Sequence, residues 1–113
     1  MGTRAQLGVQ YPDSSISGCY IHYDGYPDHM VPALKNYVQR YTMTGLVTII
    51  AEAQAHGGMR YFNAPPHRET AFLNDDEEYI IDERNWDNPS YYGVHYAYLV
   101  DYETGEIIQQ CKV

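Results

Sequence analysis

Large aromatic hydrocarbons are nearly missing from this chain: its 113 residues include two Phe and one Trp. Cysteine is also scarce. Cys19 and Cys111 stand too far apart for a Cys-x-x-Cys redox or zinc pair. Positive charge is thin, with seven Lys and Arg against 15 Asp and Glu and a net charge of −8. That balance argues against nucleic-acid backbone or an anionic membrane surface as the main partner, since both recruit clustered cations. No run approaches the roughly 18 apolar residues of a membrane span. The first twenty residues lack the apolar segment of a secretory leader. The expectation is a cytoplasmic protein with reduced thiols. Repeats, low-complexity stretches and linkers are absent too, so residues 1–113 read as one domain.

What is abundant is tyrosine, 13 residues of it, within an apolar share of 44%. Tyrosine packs as an aromatic and keeps a hydroxyl for water or a partner. It suits half-buried strands and contact surfaces alike.

Periodicity gives an order of elements. Ala5, Leu7, Val9 and Tyr11 alternate with small or polar residues; Pro12-Asp13-Ser14-Ser15 is a turn signal; Cys19, Ile21 and Tyr23 alternate again. This is a hairpin, and setting Leu7 against Ile21 and Val9 against Cys19 keeps its apolar faces in agreement. The same register sets Gln6 opposite His22 and Arg4 opposite Asp24. Met30, Val31, Leu34, Tyr37, Val38 and Tyr41 form a helical stripe beginning between His29 and Pro32. A second helix is expected after Thr44 as N-cap, with Leu46, Ile49, Ile50 and Ala53 inward and Gly57-Gly58 as its stop. Met59 to Phe62 and Tyr79 to Asp82 read as short strands. Tyr92, Val94, Tyr96, Tyr98, Val100 and Tyr102 share one face of a strand, and Ile107 to Cys111 returns after a turn in which Gly105 supplies a positive φ. The predicted fold is α+β: an antiparallel sheet of the N-terminal hairpin and C-terminal strands, with two helices on one face.

Two groups of residues carry candidate chemistry. Arg4, Gln6, His22 and Asp24 collect at one end of the hairpin's polar face, with Tyr20 and Tyr26 nearby. An Arg fork holds phosphate or carboxylate through two hydrogen bonds. A histidine oriented by an aspartate can serve as general base. Tyrosine rings would flank a planar group. The group therefore suits a nucleotide-like ligand, while an Arg4–Asp24 ion pair closing the hairpin is the plainer reading. The second group is a contact surface: the acidic run Asp75, Asp76, Glu77 and Glu78, with Asp82, Glu83 and Asp87, and the tyrosines Tyr96 and Tyr98. A solvated charge run and a sheet face meeting the helices are the plain readings there. His22, Asp24, His29 and His95 have neither helical ligand spacing nor a cysteine pair, so no metal or other cofactor is expected. His22-Tyr23-Asp24 and His95-Tyr96-Ala97 lack the hydroxyl residue two positions after His that two-histidine phosphoesterases use.

Thr3-Arg4-Ala5-Gln6-Leu7-Gly8-Val9, followed by Tyr20-Ile21-His22-Tyr23-Asp24-Gly25-Tyr26-Pro27, resembles a family of small proteins from phages and prophages. The segment Tyr96-Ala97-Tyr98-Leu99-Val100-Asp101 is similar to a strand in their C-terminal part. Ile21 and Pro32 depart from the pattern, standing where that family often has Cys and Gly. The resemblance implies a phage or mobile-element origin, residence in host cytoplasm and an accessory role. Three functions stay open. The first is a non-enzymatic protein that binds and inhibits a host protein, in host takeover or anti-defence. The second is a small-ligand binder that sequesters a nucleotide signal through Arg4, Gln6, His22, Asp24 and Tyr26. The third is a phosphoesterase using His22 and Asp24. A homodimer is left open as well.

Overall fold

The computed structural model describes residues 3–62, 72–73, 78–87 and 93–112. Among these, five strands and one helix follow in the order β1 (Ala5–Gln10), β2 (Ile16–Ile21), α1 (Pro27–Ala55), β3 (Ile81–Asp82), β4 (Tyr96–Asp101) and β5 (Ile107–Lys112). The strands form a single sheet in the order β3-β2-β1-β4-β5. The protein is α+β, as its patterning predicts, but the sheet is mixed. β1 and β4 run parallel, while the other three pairs are antiparallel. Two hairpins lie side by side with their first strands in the middle, and those two strands point the same way. Central strands covered on both faces read as near-continuous apolar runs. Ala5 to Val9 are all buried, and so are Ala97 to Val100.

The hairpin pairs Ala5 with Ile21 and Leu7 with Cys19. This is two residues away from the register expected from the sequence. The cause is the turn: it is tighter than the sequence suggests and closes as Tyr11 donates its N–H to Ser15 O at 2.9 Å. Inside it, the Asp13 carboxylate accepts from both Ser15 N–H and Ser15 Oγ–H. A slip of two leaves each residue on its predicted face and changes only its cross-strand neighbour. Gln6 therefore faces Tyr20, not His22.

One helical element stands where two separate helices are expected. It starts at Pro27, earlier than the predicted start, because a proline fits the first turn. Its 29 residues would span about 44 Å if straight, yet the molecule's longest dimension is 31 Å. The element bends at Thr42, whose φ of 66° and ψ of 176° are not helical. The bend lies beside the β4–β5 turn, where Gly105 approaches Val38 and Met43. Both halves then bury their stripes on one face of the sheet: Met30, Leu34 and Tyr37 before the bend, Leu46, Ile49, Ile50 and Ala53 after it.

Leaving the helix, the chain comes back along β2. Gly58, at φ +124°, allows the approach; a Cβ there would lie 2.7 Å from Tyr20 O. Met59 N–H then donates to Tyr20 O, and His22 N–H donates to Met59 O. Met59 makes single bridges to Ile21 and Phe72 in place of the predicted short strand, and β3 is two residues long where four are expected. The opposite face of the sheet carries a smaller core of Ile81, Trp86, Ala97 and Leu99. Gly105 has the positive φ that its turn calls for, +73°. Cys19 and Cys111 are both free thiols. Cys19 lies in the helix-side core and Cys111 packs on the smaller one. Among the described residues, no helix is long and apolar enough to cross a membrane.

Candidate functional site

Period-two alternation sends Tyr20 and His22 to the same face of β2 and its extension. The Tyr20 hydroxyl meets His22 Nδ1 at 2.7 Å. The Tyr20 pKa is raised from its ordinary value, chiefly by burial. With the hydroxyl as donor, Nδ1 is the acceptor. A neutral imidazole has one N–H, which this arrangement leaves on Nε2. The Tyr23 ring packs edge-on against His22 with centroids 4.5 Å apart. Tyr79 packs edge-on against Tyr20 from the segment before β3, at 6.4 Å.

Arg4 joins this group. Carried one step past Ala5–Ile21, the hairpin register sets Arg4 beside His22. Burial first, and the Arg4 guanidinium second, hold the His22 pKa below its ordinary 6.5. The same guanidinium acts on Tyr20, opposing the rise that burial causes. The backbone of Arg4 is tied to the residue preceding β4: its N–H donates to His95 Nδ1 at 3.2 Å, and its carbonyl accepts from His95 N–H at 2.8 Å. The end of the sheet thus gathers a guanidinium and an imidazole beside a tyrosine ring. With the imidazole N–H on Nε2, that is a donor array suited to an oxyanion.

The other predicted residues sit elsewhere. Gln6 is 2% exposed, and its Nε2 donates to Trp86 O at 3.0 Å. It pins the 81–87 segment and is unavailable to a ligand. Asp24 is exposed in a left-handed turn at φ 57°. Among the described residues no hydrogen bond or ion pair links its carboxylate to His22, whose Nδ1 belongs to Tyr20. Tyr26 is the N-cap residue of α1 and packs near His29, at 6.2 Å between centroids. His29 in turn meets Phe62 O at 2.7 Å. These two belong to the helix start and not to the Arg4 group.

The contact-surface residues divide as well. Tyr98 is fully buried and donates its hydroxyl to Gly25 O at 2.7 Å; it is part of the helix-side core. Tyr96 is half-buried against that core. Glu78 is exposed, while Asp75, Asp76 and Glu77 lie outside the described residues, as does Tyr92. Asp82 pairs with the exposed Arg84 at 2.7 Å within its own turn, and Glu83 accepts Ile16 N–H at 3.0 Å, which fastens the β3 segment to β2.

Sequence reasoning overlooked Trp86 and Tyr23. Trp86 sits amid polar residues, with no periodicity to announce it. Tyr23 owes its place to the backbone after β2, where its N–H donates to Arg60 O.

No protein-family model matches the chain, and no curated protein or solved structure matches it.

Proposed function

We propose that this is a non-enzymatic binding protein that captures a small anionic ligand of nucleotide type at the Arg4–Tyr20–His22 group. The observation that carries the reading is the pairing of Tyr20 O–H with His22 Nδ1. With the hydroxyl donating, the other imidazole nitrogen becomes a donor beside a guanidinium, and Tyr23 supplies an aromatic edge for a planar ring. The same pairing disfavours hydrolysis through His22 and Asp24, because the nitrogen an orienting aspartate would use is held by a tyrosine. In the phage setting that the N-terminal motifs imply, such a protein would withdraw a nucleotide from its host receptor.

Titration with inorganic phosphate and a panel of nucleotides tests this. Nucleotides binding more tightly than phosphate, with the margin lost in Tyr23→Ala and all binding lost in Arg4→Ala, are the expected result. A melting temperature unmoved by every member of the panel contradicts it.

A host-protein partner is the second reading. It is favoured by the exposure of Tyr23 and Tyr26, 43% and 40%, on either side of Asp24-Gly25. A stoichiometric partner recovered with the wild type and lost with Tyr23→Ala/Tyr26→Ala, in a protein indifferent to nucleotides, would favour it over the first.

A further inference from the structure

We infer that His95 is a third donor of the anion site and that capture of an oxyanion there is coupled to uptake of one proton at His22; this rests on the anion-binding reading above. Three adjacent strands bring the residues abreast. Gln6 and Ala97 both face the smaller core, so alternation assigns Arg4 and His95, two residues before each, to that same face. Tyr20 brings His22 to it from β2. Both histidines have Nδ1 engaged, His95 as acceptor from Arg4 N–H at 3.2 Å and His22 in a bond with the Tyr20 hydroxyl at 2.7 Å. A ring whose Nδ1 accepts carries its hydrogen on Nε2, and with the Tyr20 hydroxyl as donor both rings do so. The array is all donor, with Arg4 between two N–H groups, and it matches an acceptor-only oxyanion.

The proton follows from charge. His22 is faced by Arg4 from the segment leading into β1, by Tyr20 within β2, and by Tyr23 edge-on. Arg60 is held near by its carbonyl bond from Tyr23 N–H, and Asp24 is two residues on. Without ligand, desolvation and the Arg4 charge disfavour the cationic ring. A bound anion offsets both and makes the cationic ring favourable. One proton then comes from solvent to Nδ1, and the Tyr20 hydroxyl changes from donor to acceptor, a reversal open to any hydroxyl.

Sulfate is the probe, because its own charge stays constant across the useful range. Its Kd would be measured by NMR titration in steps from about pH 7.5 to about pH 5. Uptake of one proton predicts a Kd that falls with pH, with a slope approaching about tenfold per unit. His22→Gln keeps an N–H donor but cannot titrate, and should remove that slope. His95→Gln should weaken binding severalfold at every pH and keep the slope. A wild-type profile without slope, in a protein whose Arg4→Ala variant no longer binds sulfate, overturns the proton coupling and leaves the anion site standing. An unchanged Kd in His95→Gln overturns the third donor. Sulfate binding unaffected by Arg4→Ala contradicts the anion site itself. Should His22→Gln fail to fold, the wild-type slope decides the coupling alone.

Discussion

The two faces of the sheet are covered by different means. On one, the bent helix lays down apolar side chains at helical spacing, and 17 buried residues of the described chain join its core. On the other, only 4 do, and polar bonds take over the fastening. Gln6 Nε2 donates to Trp86 O, Trp86 Nε1–H donates to Gln109 Oε1 at 3.0 Å, and Glu83 accepts Ile16 N–H. The small face depends on one indole seated over Gly8, where a Cβ would come within 2.8 Å of the ring. The difference shows where a site can form. The helix face is closed by bulk, whereas at the end of the small face Arg4 is exposed and His22 is half-buried beside the buried Tyr20.

Substitutions should separate the faces by size of effect. Leu46→Ala, in a fully buried position under the helix, should cost about 3 kcal/mol in urea unfolding, from lost burial and the cavity left behind. Gly8→Ala should cost about 2 kcal/mol by overpacking and shift Trp86 fluorescence, because the indole must lift. A Leu46→Ala loss smaller than that of Gly8→Ala would reverse the contrast. Tyr98→Phe removes the hydroxyl that serves Gly25 O and should cost about 1 kcal/mol without changing Trp86 emission. Thr42→Gly should stabilise by about 1 kcal/mol, since a β-branched residue is strained in that backbone region and glycine is not; a loss of stability would mean that the Thr42 side chain holds the bend. The smallest effect concerns protons. A histidine with a lowered folded pKa binds fewer protons than the unfolded chain below 6.5, so stability should fall slightly as pH drops through that value. Arg4→Ala should move the His22 NMR midpoint upward, toward the ordinary value.

The helix-face stripes were legible in the sequence because they repeat at 3.6 and at 2 residues. Leu34, Tyr37, Leu46 and Ile50 announce themselves in that way. The strand faces were legible for the same reason, which is why a register error of two still placed Arg4 and His22 on one side. What was not legible depends on contacts between distant segments. The parallel pairing of β1 with β4 is set by how two hairpins dock, and no local pattern encodes it. Gln6 and Asp24 read as members of the His22 group from the expected register and alternation. Trp86 claimed the first, from 80 positions away, and a left-handed turn exposed the second. Tyr20 was visible as an aromatic beside the group, but its role as the residue that sets the imidazole tautomer required the 2.7 Å contact.

That tautomer is the most direct test. Nitrogen-detected NMR of the His22 ring, in ligand-free protein above its titration, should show a protonated Nε2 and a bare Nδ1, with Tyr20→Phe erasing the preference. A ring carrying its hydrogen on Nδ1 would contradict the account, because the site would then face its ligand with an acceptor where a donor is required.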